Sequence, residues 1–253
     1  MIINTDGLVI GERIVGESDR LVTLLTREEG ILRAFAPKAK KLKDSKMSST
    51  QLLSYSNFVL YKGKEKYVIN DGRTIELFFD LRKDIAMLSL AQYFCELASL
   101  LAPEGAEARD FLRLILNALH FLCKQSRSEL LLKSVVEMRL LAMAGFMPNL
   151  IACDSCGQYE SDPMYFVLDK GLLYCKDCVS EIHQQAIAVS PGVLTALRHT
   201  IYADFEKLFS FRLPESGLRQ LATISERYLI HVVERRIPTL EFYHQIASMG
   251  ETI

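Results

Sequence analysis

The spacing of apolar residues along this chain changes at Leu81. Before it, apolar residues come in short bursts closed by turn-forming residues, which is the pattern of strands. Ile2 and Ile3 precede Asp6-Gly7, and Leu8, Val9 and Ile10 begin a run that extends through Ile14 and Val15. Gly16-Glu17-Ser18-Asp19 predicts a turn, Leu21 to Thr26 a strand, Glu28-Glu29-Gly30 a second turn, and Ile31 to Ala36 a third strand. Phe58 to Tyr61 follows, then Tyr67 to Ile69, a turn-like Asn70-Asp71-Gly72, and a last strand from Thr74 to Phe79. Strands of this length and spacing predict a closed or nearly closed antiparallel barrel over 1–80. A five-stranded barrel of the oligonucleotide-binding (OB) type is the leading form, and a small sandwich is the other.

From Leu81 the period lengthens to that of a helix. Leu81, Ile85, Leu88, Gln92, Leu97 and Leu101 share one face, and Pro103 closes the segment. A second helix after Glu104-Gly105 carries Phe111, Leu112, Ile115, Leu119 and Leu122. Ser128 is placed to cap a third, with Leu131, Val135, Met138, Leu141 and Ala142 inward and Gly145 and Pro148 as stops. Further on, Ser190-Pro191 opens a helix through Ile201, and Phe205 to Leu213 connects it to a final helix from about Glu215, broken by Pro238. Helices this apolar need one another as partners, so 81–150 and 183–253 are expected to form one helical bundle. The expected fold is α+β and multidomain: barrel, helical domain, and an insertion at 151–182.

The insertion carries the sharpest chemical signal. Cys153-Asp154-Ser155-Cys156 is followed, eighteen residues later, by Cys175-Lys176-Asp177-Cys178. Two Cys-x-x-Cys pairs at this separation bring four thiolates around one Zn2+, provided the segment between them folds back. It has the pattern to do so: Tyr165 to Leu168 as one strand, Asp169-Lys170-Gly171 as the turn, and Leu172 to Tyr174 as the return. The competing readings are two disulfides, four unrelated thiols, or a redox pair, which needs only one Cys-x-x-Cys. Four sulfurs saturate zinc, so Cys153, Cys156, Cys175 and Cys178 are expected to be a structural site that props up a small ribbon.

Composition adds a compartment and an asymmetry. No apolar run reaches the roughly 20 residues a membrane span needs, and Asp6, Gly7 and Glu12 interrupt the N-terminal apolar stretch. A reducing, cytoplasmic location is expected, with Cys95 and Cys123 as buried thiols in helical patterns. The net charge is −1, yet Arg33 to Arg73 holds ten cationic residues against Asp44, Glu65 and Asp71, a local surplus of +7. The ten are Arg33, Lys38, Lys40, Lys41, Lys43, Lys46, Lys62, Lys64, Lys66 and Arg73. Five of them crowd into Pro37 to Lys46, a run that is either a solvated surface loop or a phosphate-binding arm. Phe35, Tyr55, Phe58, Tyr61 and Tyr67 lie among these charges, either as core residues or as stacking platforms. In the helical region Arg109, Arg113, Lys133 and Arg139 either pair with Glu107, Glu129 and Glu137 or rim an apolar groove for a partner's acidic, hydrophobic tail. No metalloprotease helix, phosphate-cradling glycine loop or dinucleotide fingerprint is present, so nothing supports an enzymatic role.

Taken in order, these parts resemble the bacterial recombination mediator family RecO. The resemblance rests on GESDRLVTLLTREEGI from Gly16 to Ile31, the basic loop from Pro37, EMRLLAMAGFMP from Glu137 to Pro148, the paired cysteines, and SPGVL from Ser190 to Leu194. It implies an OB-type N-terminal domain, a helical domain and a zinc module. It also implies binding and annealing of single- and double-stranded DNA on the nucleoid. With the partner RecR, such a protein helps RecA displace single-stranded DNA-binding protein (SSB), whose acidic C-terminal tail a hydrophobic pocket of the helical domain takes up. Without the resemblance, two other classes fit the same features: a zinc-stapled adaptor between proteins, and an RNA-binding OB protein.

Overall fold

The computed structural model describes residues 1–39, 46–64, 66–181 and 185–250. In chain order the first strands are β1 (Ile2–Val15), β2 (Asp19–Thr26), β3 (Gly30–Ala36), β4 (Ser54–Lys62) and β5 (Tyr67–Leu77), with a one-turn helix α1 (Lys46–Ser49) before β4. Helices α2 (Ile85–Leu101), α3 (Arg109–Cys123) and α4 (Glu129–Met143) follow. Then come strands β6 (Asn149–Cys153), β7 (Met164–Val167), β8 (Leu172–Cys175) and β9 (Ala186–Val189), and helices α5 (Pro191–Tyr202), α6 (Glu215–Val233) and α7 (Pro238–Gly250). The chain divides into two compact units, Met1–Lys124 with Pro238–Ile253, and Gln125–Ile237. The division therefore falls between α3 and α4, inside the segment expected to be a single helical domain.

In the first unit β1 to β5 close into a barrel of order β1-β2-β3-β5-β4, with β4 returning to β1. All pairings are antiparallel except β3 with β5, which meet in parallel through Ala34↔Tyr67 and Phe35↔Val68. Alternation places Val9, Val22, Leu24, Leu32, Ala34, Ala36, Phe58, Leu60 and Ile69 in the core. Two of the predicted turns lie inside strands. Asp6-Gly7 is part of β1, and Asn70-Asp71-Gly72 is part of β5, so the last two expected strands are one. Glycine sits at 72 for close approach, not for a turn: a Cβ there would lie 2.4 Å from Ser49 Oγ of α1. Gly30 has both reasons, with φ of +63° and a Cβ position 2.0 Å from the Pro103 carbonyl oxygen.

Helix α2 starts where Asp84 accepts hydrogen bonds from Ala86 N (2.7 Å) and Met87 N (3.1 Å). Its buried face, with Leu90, Tyr93, Phe94 and Leu97, packs against α3 and α7. Helix α7 was not visible in the apolar pattern: Pro238 ends nothing there but opens a helix, and Thr239 N donates to Glu96 Oε2 of α2 at 3.1 Å.

In the second unit α4 packs on α5 and α6, capped as expected by Ser128, whose Oγ accepts from Leu131 N at 3.2 Å. The remaining strands form one sheet of order β6-β8-β7-β9, wider than the hairpin the sequence suggested. The predicted turn between β7 and β8 is present, closed by Gly171 N donating to Leu168 O at 3.1 Å.

Candidate metal centre and nucleic-acid interface

The sheet of the second unit ends in the cysteines. Cys153 closes β6 and Cys175 closes β8; β6 and β8 are parallel neighbours, which brings the two Cys-x-x-Cys turns side by side. The first turn is held by Gly157 N to Cys153 O at 2.9 Å, with Gly157 at positive φ, and the second by Cys178 N to Cys175 O at 3.2 Å. The four Sγ atoms all lie within 4.8 Å of one another, and Cys156 and Cys175 are 3.7 Å apart. Sulfurs at the corners of a zinc tetrahedron are about 3.8 Å apart for bonds of about 2.3 Å, and a disulfide is far shorter, so the cluster fits a metal and not cystine. Burial raises the Cys153 thiol, but N–H groups of Cys175, Cys156 and Ser155 outweigh it and bring the group down to about 6. The Gln158 N–H pulls the Cys156 thiol down but the Cys153 and Cys175 sulfurs outweigh it, and the Cys175 and Cys156 sulfurs push the Cys178 thiol up. Arg198 of α5 ties the ribbon down: it donates to Leu150 O (2.7 Å), Ile151 O (2.8 Å) and Tyr159 O (2.8 Å), with its guanidinium 4.0 Å from the Tyr159 ring centroid. Nothing in the residue pattern marks Arg198 beforehand, since its partners are backbone carbonyls. The other two cysteines are free as well, Cys95 buried and pushed up to about 12, Cys123 half-buried.

The basic positions of the barrel distribute unevenly. Lys40, Lys41 and Lys43 lie outside the described residues. Arg33 of β3 and Lys66 beside β5 are exposed and line one cavity of about 790 Å³ with Leu21, Phe35, Tyr67 and Val68. Lys62 lies next to it, but its Nζ is 3.0 Å from Glu29 Oε2, and the Tyr67 hydroxyl donates to the same oxygen at 3.0 Å. Tyr67 and Glu29 push the Lys62 ammonium up, and Lys62 and Tyr67 hold the Glu29 carboxyl down, so this pair stays charged and mutually offset. Lys38 and Lys64 are exposed; the backbone N of Lys38 donates to Asp19 Oδ1 at 2.8 Å. Lys46 begins α1 and is half-buried. Arg73 does not join Arg33 and Lys66: it lines a separate hollow with Asp6, Glu28 and Asp71.

Of the two readings of the helical cations, ion pairs or a rim, Arg109 and Lys133 follow the first, and Lys133 is too deep to line a rim. Arg109 pairs with Glu107 at 3.1 Å, and Arg113 is exposed on the same helix, α3, in the first unit. Lys133 is interior, 2 % exposed, with Nζ 2.7 Å from both Glu137 Oε1 and Glu226 Oε2, so its charge is spent inside the second unit. Arg139 donates to the Ile201 carbonyl and stacks 5.0 Å from the Phe205 centroid. A groove of about 280 Å³ in the second unit is lined instead by Arg127, Leu131, Phe211, Arg212, Leu213 and Leu218.

A family model described as "Recombination protein O C terminal" matches residues 82–241, and "Recombination protein O N terminal" matches residues 1–78. The chain belongs to the RecO family. The family match and the two Cys-x-x-Cys turns thus meet in one chain, as the sequence resemblance implied. Its relatives include proteins named DNA repair protein RecO. One from Acetivibrio thermocellus is 36% identical over 240 residues, covering 95% of each chain. One from Symbiobacterium thermophilum is 30% identical, covering 97% of this chain and 98% of that one. A third, from Alkaliphilus metalliredigens, is 28% identical and is covered in full. Among the described residues no helix is long and apolar enough to cross a membrane.

Proposed function

We propose that this protein is a non-enzymatic DNA-binding mediator of recombinational repair, acting in the cytoplasm on the nucleoid. The observation that carries the reading is the outward placement of Arg33 and Lys66 on one face of a closed barrel, in the segment that holds the surplus of +7. Ammonium and guanidinium groups there, with Lys38, Lys40, Lys41, Lys43, Lys46 and Lys64 of the same segment, neutralise phosphates and release their condensed counterions. Neutralising two strands at once lowers their mutual repulsion, so complementary strands can pair. The strand order β1-β2-β3-β5-β4 and a short helix between β3 and β4 support an OB-type barrel. Lys62 and Arg73 contribute less in this account, because each stands beside carboxylates.

The thiolate geometry supports a structural Zn2+ held by Cys153, Cys156, Cys175 and Cys178; bound there, the ion locks the two turns together and leaves no open coordination position. RecR, SSB and, indirectly, RecA are the proposed partners, on the family reading. For the SSB tail, the groove of Leu131, Phe211, Leu213 and Leu218 flanked by Arg127 and Arg212 is the proposed site, since it offers apolar floor and cation together. The test is strand annealing on SSB-coated DNA. Wild type should anneal and the variant Lys38→Ala, Lys40→Ala, Lys41→Ala, Lys43→Ala should be slowed at least tenfold; equal rates would refute the role of the segment, and preference for RNA over DNA would favour an RNA-binding protein.

A further inference from the structure

The register of the barrel assembles an outward row that no single strand reveals. Leu21 of β2 faces Phe35 of β3, Phe35 faces Val68 of β5, Val68 faces Tyr61 of β4, and Tyr61 faces Ile2 of β1. The residues flanking this row along the strands, Ala34, Ala36, Leu60 and Ile69, are core, so alternation turns the row outward. Tyr61 is 49 % exposed and Ile2 63 %, while Leu21, Phe35 and Val68 are half-buried and form the floor of the 790 Å³ cavity. Arg33 and Lys66 stand one step along the same outward face of β3 and beside β5. Two carboxylates line the same cavity: Glu104, where it bridges to Gly30 and Ile31, and Glu29, which is committed to Lys62 and Tyr67.

We propose that this row is a stacking platform for unpaired bases and is what lets the barrel prefer single strands to duplex. The proposal rests on the DNA-binding reading above and names the form of DNA. In a duplex the base faces are occupied by their neighbours, and only phosphates are offered to a flat surface. A single strand offers free π-faces, which stack on aromatic side chains regardless of sequence while cations beside them hold the backbone. Rings at 35 and 61 separated by Val68, with cations along one side, provide both contacts. A peptide would need the cavity's polar groups to match its own; Arg33 and Lys66, which make no ion pair among the described residues, stand over an apolar floor and match a polyanion with apolar faces.

The chain contains no Trp, so Tyr61→Trp introduces a single reporter at an exposed site. Its emission should be quenched by a single-stranded oligothymidylate and not by a duplex of equal length. The variant Phe35→Leu with Tyr61→Leu, which keeps apolar bulk without rings, should lose roughly tenfold or more in single-strand affinity. Its duplex affinity and the slope of affinity against salt should stay as in wild type, and a thermal melt reports whether it remains folded. Equal loss on both forms of DNA, or a reporter insensitive to single strands, overturns the platform while leaving phosphate binding intact. A wild type that binds neither form at low salt overturns both readings. Quenching by an acidic, apolar peptide that the oligonucleotide cannot displace overturns the platform in favour of a protein-docking surface.

Discussion

Replacing Lys133 by Met should unfold much of the second unit rather than weaken any binding. Its Nζ sits 2.7 Å from carboxylates of both Glu137 and Glu226, with side-chain exposures of 3 % for Lys133 and 0 % for Glu137. Ser225 Oγ donates to the other Glu137 oxygen at 2.5 Å, so α4 and α6 are joined through this one cluster. Without the lysine, Glu137 is an uncompensated buried carboxylate, an arrangement that costs about 3–5 kcal/mol. For a unit of this size that is roughly 10–25 °C in melting temperature. Glu226 is 20 % exposed and reaches water, so Glu226→Gln should cost only about 1 kcal/mol. Removing charge from both interior partners, Lys133→Met with Glu137→Leu, should recover most of the loss, because well-packed apolar groups replace a buried pair at little cost. Burial pulls the Lys133 ammonium down, but Glu137 and then Glu226 outweigh it and the group titrates above its ordinary 10.5. A raised cationic group contributes stability fully below its unfolded value, lost as pH rises through the folded one, so the wild-type advantage over the double variant should fade only in alkali. Chemical denaturation followed by circular dichroism measures all four proteins. A Lys133→Met variant within 0.5 kcal/mol of wild type that fails to bind an acidic peptide would refute the interior assignment and restore the lysine to a binding rim.

Three further outcomes are expected. Gly30→Ala should destabilise the first unit by at least about 3 kcal/mol in a thermal melt, because a side chain at positive φ is strained and this one meets the Pro103 carbonyl; a loss under 1 kcal/mol would show that the segment after α2 shifts freely. Elemental analysis should find about one zinc per wild-type chain and much less in Cys175→Ser, with chelation opening the ribbon while the salt dependence of DNA binding persists; equal metal in both would exclude four-sulfur ligation. Asp6 is desolvated, which raises it, yet hydrogen bonds from Arg27 (2.8 Å to each carboxylate oxygen) and Tyr55 bring the net direction down. Asp6→Asn should therefore cost about 1–2 kcal/mol at neutral pH, a difference that disappears as pH falls below 3.8 and that urea titrations across pH will measure.

What the sequence made legible was local. Four cysteines at fixed spacing, the β7–β8 turn at Gly171, and the Ser128 cap each depend on neighbours a few residues away, and each stands where it was expected. Strand positions were readable from period two, but Gly7 and Gly72 misled, because a turn and a close backbone approach both demand glycine and only packing distinguishes them. Lys133 misled for a related reason. With Glu137 one turn later it has the spacing of an exposed helical pair, and only Glu226, on a helix distant in sequence, reveals that both face inward. Pro238 reads as a stop in the apolar pattern, yet proline suits a first helical turn equally well and here opens α7. The row from Leu21 to Tyr61 could not be seen at all, because it exists only once β3 and β5 close the barrel in one register.

The most direct test of the account is the salt dependence of DNA binding. Titrating single- and double-stranded oligonucleotides across ionic strength, the logarithm of affinity should fall linearly with the logarithm of salt concentration. In the variant carrying alanine at 38, 40, 41 and 43, the slope should flatten by about one for each lysine that meets a phosphate, roughly three to four in all, with no change in sequence preference. Parallel lines for variant and wild type would mean that these charges never meet the sugar-phosphate chain, and the electrostatic account of this barrel would fail.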